Sequence, residues 1–302
     1  MSVWIETPFV PSEPLARAAG RPVWLKLENT QPSGSFKLRG MGHACAQAVQ
    51  RGATQLVSSS GGNAGYAVAW AGRQLGVPVT VVVPSRTSPT MRARIEAEGA
   101  AVVVHGEVWD DAHAHAQTLP GVLVHPFDHP DCWEGHASLV HEMARQGPRP
   151  GLIVVAVGGG GLLAGVLRGM DAVGWAAVPV LAMETHGTAS LGAAMKAGRP
   201  VTLPGIEGVA LTLGARQVCD EAFEAVGRHT VTVRSVSDAA AVDAVGRFLD
   251  DHRMLVEPAC GAALAPVYAG DVGEEGPVAV VVCGGAGATR EALAGWQAAV
   301  AP

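Results

Sequence analysis

Short runs of β-branched and aliphatic residues recur along the chain: VWLKL at 23–27, QLVSS at 55–59, VTVVV at 79–83, AVVVH at 101–105, LIVVAV at 152–157, VPVLAM at 178–183 and VAVVVC at 278–283. Ala-rich, helix-like stretches separate them, including YAVAWAGRQLG and a long one near 133–146. Strand-length runs alternating with helices signal βαβ units. The runs are apolar on both parities, as expected of parallel strands covered by helices on both faces. This predicts an α/β fold of two wound lobes, with ligands at the carboxyl ends of strands. GPRPG at 147–151 and DVGEEGP at 271–277 read as surface turns rather than linkers, and no solenoid-like repeat is evident. A second lobe would therefore be an insertion within the larger one.

Composition narrows the partners. The 302 residues suit two modest lobes or one large α/β unit, and 48% hydrophobic against 16% charged residues supports a large core. With only 2 Tyr and 5 Phe, Val, Ala and Leu must fill it. The net charge of -6 comes without any Lys/Arg run, so neither nucleic acid nor an anionic membrane is an expected partner, and small molecules are. The five cysteines form no CxxC pair, which suggests reduced thiols. The N-terminus lacks a basic start followed by an apolar stretch, and no apolar run is long enough to span a bilayer, so a cytoplasmic location is expected.

Three loops bring polar chemistry to strand ends. SSSGGNAG at 58–65 follows a strand and opens a helix, so amides of the loop and the first helical turn are free to cradle an anion such as a carboxylate. VGGGGLLAG at 157–165 repeats the passage with four consecutive glycines, which clear side chains from a site able to wrap a phosphate. It fits a dinucleotide fingerprint poorly, and either loop alone reads equally well as a tight turn packing a helix on a sheet. QPSGSFKLRG at 31–40 starts a helix at Lys37, which by position alone reads as a solvated surface charge. Together, two anion sites and a lysine match a cofactor with a phosphate and an aldehyde, acting on a substrate with a carboxylate and an amine.

QPSGSFKLRG, SSSGGNAG, WEGHASLVHE, GGGGLLAG, METHG, EPACGAA and VVCGGAG, in this order, resemble the fold-type II pyridoxal-phosphate (PLP) enzymes over essentially the whole chain. The group resembled above all is the L-serine/L-threonine dehydratases, especially the short catabolic ones. The resemblance implies a tryptophan synthase β-like fold: two open, twisted, mostly parallel sheets flanked by helices. A large PLP-binding domain would comprise 1–38 and 136–302, with a small domain, 39–135, inserted in it. Lys37 would hold the cofactor as a Schiff base, Phe36 would pack on one ring face and Thr212 on the other, and Asn63 would bond the ring hydroxyl. Gly158, Gly159, Gly160 and Gly161 would hold the phosphate, and Cys283 would face the pyridine nitrogen. Ser60, Gly61, Gly62 and Asn63 would receive the substrate carboxylate. By the same resemblance Glu184, with the carbonyls of Gly158, Thr188, Leu213 and Ala215, forms a site for a monovalent cation, K⁺ suiting it better than Mg²⁺. Without the resemblance, Cys283 reads as a small buried hydrophobe and Glu184 as an ordinary hydrogen-bond acceptor.

The implied reaction is loss of water from L-serine or L-threonine, giving pyruvate or 2-oxobutyrate and ammonia. Lys37 is the base at Cα, and the cofactor phosphate is the implied proton donor to the leaving hydroxyl. A thiol rather than a carboxylate at the ring nitrogen weakens the electron sink and favours prompt elimination. Serine racemases share the first step but carry a serine where Gly61 stands here, and a glycine cannot move a proton. Dehydratases commonly have alanine at this position and opposite the ring where Thr212 stands, so both residues depart from the pattern. Cysteine synthases have a different asparagine loop, and a non-catalytic PLP-binding protein would not need the full set of loops. His113, His115, His125, His129 and His136 lie near acidic residues and Cys132, yet without closed zinc-ligand spacing. The chain ends soon after CGGAGAT, which leaves no room for a regulatory domain and predicts no isoleucine control. A homodimer and closure of the small lobe on substrate complete the expectations.

Overall fold

The computed structural model describes residues 3–273 and 275–301. Two sheets organise it. The larger has six strands in the order β1 (Phe9–Pro11), β2 (Val23–Lys26), β10 (Val278–Val281), β7 (Leu152–Ala156), β8 (Val180–Thr185) and β9 (Val231–Val236). Only β1 runs antiparallel to its neighbour. The smaller is wholly parallel, in the order β5 (Ala101–Val104), β4 (Val79–Val83), β3 (Leu56–Ser58) and β6 (Val122–Leu123).

Helices fill the connections: α1 (Glu13–Ala19), α2 (Lys37–Gln50), α3 (Asn63–Leu75), α4 (Pro89–Ala97), α5 (Trp109–Ala116), α6 (Pro130–Gln146), α7 (Gly161–Ala172), α8 (Ser190–Ala197), α9 (Asp220–Val226), α10 (Asp238–His252), α11 (Pro258–Tyr268) and α12 (Arg290–Ala299). Every residue of α11 is buried, which explains its almost wholly apolar sequence. The expected α/β architecture with two mostly parallel sheets is the one observed.

All seven apolar runs became strands, but β1, β6 and β9 were not among them. β1 is three residues ending in proline and β6 only two, too short to show a pattern. β9, VTVRSV, lies at a sheet edge and is only partly buried, so its apolar run is interrupted by polar residues. The helix expected near 133 begins at Pro130, where proline occupies the first turn and the His129 ring accepts the Asp131 amide at 3.2 Å.

A buried ionic network fastens α2 to α6. Arg39 Nε donates to Glu28 Oε2 at 2.7 Å, while its Nη1 and Nη2 reach Glu142 Oε1 and Oε2, both at 2.6 Å. Lys26 Nζ shares Glu142 Oε2 at 2.5 Å and donates to the Thr7 carbonyl at 2.7 Å. Lys26, Glu28 and Arg39 are wholly enclosed. Bare backbone makes the helix crossing close: a Cβ on Gly40 would lie 2.5 Å from His136 Nε2 and 2.8 Å from Cys132 Sγ.

Candidate active site

Lys37 opens α2, and the loop ahead of it is tied to the loop that follows β10. Phe36 N donates to the Cys283 carbonyl at 3.0 Å, Gly285 N donates to the Gly34 carbonyl at 2.9 Å, and Ser35 bridges Gly284. Lys37 Nζ donates to the Pro126 carbonyl at 2.6 Å and lies 5.2 Å from the Phe36 ring centroid. Lys37 as a whole residue is half-buried. Burial holds the amine below the ordinary lysine range, with Cys132, Cys283 and Cys219 opposing the shift. A larger neutral fraction makes it a better nucleophile and base.

The glycines at 158–161 are bare because their surroundings leave no alternative. A Cβ on Gly159 would sit 2.5 Å from the Phe127 ring, and one on Gly161 2.4 Å from the Phe127 carbonyl. One on Gly158 would lie 2.8 Å from the Leu213 carbonyl. Gly160, at φ 89, is the N-cap of α7, whose first amides have no partner within the helix. Phe127 follows the Pro126 that receives Lys37, so one segment joins the lysine to the glycine turn. A phosphate ester beside an amine-reactive group fits this set.

Asn63 begins α3 and reaches the other sheet's loops. Its Nδ2 donates to Glu257 Oε2 at 2.9 Å and its Oδ1 accepts the Ala286 amide at 2.7 Å, which leaves one amide hydrogen for a ligand. Glu257 is enclosed; it also accepts the Gly287 amide at 2.7 Å and lies against the Thr212 hydroxyl. Burial raises its pKa, and these donors oppose the rise. The glycines of CGGAG make room for it: a Cβ on Gly285 would lie 2.1 Å from Glu257 Cδ. Ser60, Gly61 and Gly62 form the turn before Asn63, where Ser60 Oγ accepts the Gly62 amide at 3.3 Å. Cys283 is a buried neutral thiol, pushed up first by its hydrogen bond with Cys260 and then by burial.

Glu184, at the end of β8, accepts the Leu191 and Gly192 amides at 2.8 and 2.9 Å, and burial pushes its pKa up to about 7. Ser190, the residue before Leu191, donates to the Gly158 carbonyl at 3.2 Å, which links Glu184 to the glycine turn. Ala215 N donates to the Leu213 carbonyl at 2.8 Å, and the Thr188 hydroxyl meets that of Thr185 at 2.9 Å. A buried carboxylate that pairs with no cationic side chain among the described residues fits a monovalent cation.

Among the described residues the histidines form no metal-ligand cluster, although the His113 and His125 rings meet edge to face with centroids 5.3 Å apart. His113 Nδ1 meets Ser59 Oγ at 2.9 Å, whereas His115 stacks on His105 with centroids 4.1 Å apart. His125 accepts the Asp128 amide at 2.8 Å and, lowered to about 4 by burial and by nearby His113 and Lys37, is neutral. His136 is enclosed behind Phe36, centroids 5.0 Å apart, with neither ring nitrogen partnered by any described residue, and is held well below its usual range by burial. Sequence reasoning missed Pro126, Phe127 and Glu257 as parts of this site. A carbonyl oxygen leaves no side-chain signal, and Glu257, in EPACGAA, lies 194 positions from the Asn63 it bonds.

The family model described as pyridoxal-phosphate dependent enzyme matches residues 2–284. The mouse protein named serine dehydratase-like is 53% identical, the alignment covering 92% of this chain and 89% of that protein. Human L-serine dehydratase/L-threonine deaminase is 47% identical, over 93% of this chain and 90% of its own. Among solved structures, an L-serine ammonia-lyase from Rhizomucor miehei superposes with a TM-score of 0.93 at 37% identity, covering 99% of both chains.

Proposed function

The chain belongs to the pyridoxal-phosphate dependent enzymes, and from that premise we propose that it is a lyase that deaminates L-serine to pyruvate and L-threonine to 2-oxobutyrate, releasing ammonia. The observation that carries the reading is the amine of Lys37, lowered by burial and joined through Pro126 and Phe127 to the bare turn at Gly158–Gly161. The high identity to proteins named for this reaction, across nearly their whole length, supports it.

In this reading Lys37 would hold the cofactor aldehyde, Gly158, Gly159, Gly160 and Gly161 would receive its phosphate, Phe36 and Thr212 would flank its ring, Asn63 would bond its hydroxyl and Cys283 would face its nitrogen. When bound, PLP supplies an electron-withdrawing ring that stabilises negative charge at the substrate's α-carbon. Ser60, Gly61, Gly62 and Asn63 orient the carboxylate on the loop and first-turn amides of α3. The amine of Lys37 would be the base that takes the substrate's α-proton. The β-hydroxyl departs and, counted with that proton, leaves as water. The enamine product then adds water to give the keto acid and ammonia.

Glu184 with the carbonyls of Gly158, Thr188, Leu213 and Ala215 is assigned to a monovalent cation. Residues 39–135 act as a small domain that closes on the larger one, and two chains pair as a homodimer. A location in the cytoplasm accords with the absence, among described residues, of any helix long and apolar enough to cross a membrane.

The test is keto-acid release from L-serine, L-threonine and D-serine, with chiral analysis of residual serine, beside Lys37→Ala. Keto acid from the L-substrates and none from the variant is expected. Activity in Lys37→Ala, or D-serine formed faster than pyruvate, overturns the reading.

A further inference from the structure

Gly61 is not a glycine for the sake of its backbone, since it is absent from the residues with positive φ. Its bareness has a different cause. A Cβ there would lie 2.2 Å from Thr87 Oγ1, 2.7 Å from its Cγ2 and 3.0 Å from its Cβ. Thr87 belongs to the loop after β4, the strand paired in parallel with β3, so the loops holding Gly61 and Thr87 leave the same carboxyl edge of the sheet. Such an edge is where α/β sheets bind ligands.

The loop is firmly built. Thr87 N donates to the Pro84 carbonyl at 3.0 Å, Arg92 Nε donates to the Thr87 carbonyl at 2.9 Å, and Arg92 Nη2 reaches the Ser85 carbonyl at 2.5 Å. Ser85 N is held by the Gly106 carbonyl at 2.9 Å, and Ser88 caps α4 through the Met91 amide at 3.2 Å. Thr87 is half-buried, and its hydroxyl has no hydrogen-bond partner among the described residues. A hydroxyl left unpaired on a firmly held backbone, against the loop assigned to the carboxylate, is suited to a ligand.

We propose that Thr87 is a substrate-binding residue whose hydroxyl donates to the substrate carboxylate, standing in the space that a side chain at position 61 would occupy. The inference rests on the reading that Ser60–Asn63 receives that carboxylate. Thr87→Val keeps the branched shape and removes the donor, whereas Thr87→Ser keeps the donor and removes the methyl. A charge-assisted hydrogen bond of this kind is worth about tenfold to a hundredfold in affinity.

The experiment titrates holoenzyme with L-alanine, which has the carboxylate but no leaving group, and with 2-aminoethanol, which has no carboxylate, following the cofactor's absorbance. Thr87→Val should weaken L-alanine about tenfold or more and leave 2-aminoethanol unchanged; Thr87→Ser should bind both as the native protein does. With L-serine the loss should fall on KM and spare kcat, as for binding made equally in ground and transition states. Equal weakening of both ligands, or a Thr87→Ser protein as impaired as Thr87→Val, overturns the role in favour of packing. Ser60→Ala separates the two readings: if it weakens L-alanine and Thr87→Val does not, Thr87 alone is wrong, and if neither does, the carboxylate loop is wrong and this inference falls with it.

Discussion

Replacing Arg39 with methionine should unfold the protein several degrees earlier and make its stability depend on pH in the opposite sense. The guanidinium is enclosed and bonds both oxygens of Glu28 and both of Glu142. Removing it leaves Glu28 with the Thr7 hydroxyl and Gln31, and Glu142 with Lys26 and the Thr7 amide, so one of the two buried carboxylates has no cation bonded to it. Breaking a buried ion pair from one side costs about 3–5 kcal/mol. At about 2.1 cal/mol/K per residue, 302 residues unfold with an entropy near 0.63 kcal/mol/K, so Tm should fall by about 5–8 °C. An exposed pair gives the control: Arg51 lies 2.6 Å from Asp131 with its side chain 56% exposed, and Arg51→Met should cost about 0–1 kcal/mol. Burial pushes Glu142 up, but Arg39 and Lys26 outweigh it and hold the carboxyl below its ordinary range. A depressed carboxylate contributes stability above its unfolded pKa that is lost as pH falls through the folded value. Without Arg39 burial dominates, protonation relieves the orphaned charge, and the deficit against native protein should shrink from pH 8 to pH 5. Thermal melts at several pH values test both points. A Tm within about 2 °C of native, or a deficit that grows on acidification, would refute the reasoning.

Four further changes test the site. Gly159→Ala drives a methyl into the Phe127 ring and should weaken PLP retention at least about tenfold by equilibrium dialysis, while retention equal to native contradicts the phosphate assignment. Cys283→Asp puts a carboxylate at the assigned ring nitrogen and should raise transamination relative to elimination, so an unchanged product ratio counts against that placement. Glu257→Gln keeps the volume but offers one acceptor fewer to Asn63 and Gly287, a cost of about 1–3 kcal/mol read in chemical denaturation. Because Glu257 is raised, its contribution is present below the ordinary carboxylate range and declines as pH rises through the folded value, a slope the variant should lack. Exchange of K⁺ for a bulky organic cation should lower Tm and activity together if Glu184 helps bind it, and no change in either would remove the cation site.

The strands with a continuous apolar run were legible because burial on both faces leaves no polar position to confuse the pattern. β9 was not, since at a sheet edge burial is one-sided and Thr232, Arg234 and Ser235 interrupt the run. Lys37 was legible only as one of several loops; its own neighbourhood in sequence reads as surface. What the residues could not announce was the partner brought from far along the chain. Asn63 meets Glu257 across 194 positions, Lys37 meets a carbonyl whose residue type is irrelevant to the bond, and Gly61 owes its missing side chain to a threonine in another loop. Patterning encodes which face is buried, whereas such contacts exist only after both sheets have formed.

The strand order of the larger sheet bears on how the chain is made. β10 lies between β2 and β7, so the strand synthesised last separates two that emerge far earlier. The four strands of the smaller sheet, by contrast, all lie between residues 56 and 123 and can pair while the remainder is still on the ribosome. Until Val278–Val281 arrives, β2 and β7 present unpaired edges of Val, Leu and Ile, the surface through which nascent chains associate wrongly. Completion of that sheet is a long-range event that waits on β10, and it should set both the folding rate and the window in which a chaperone is needed.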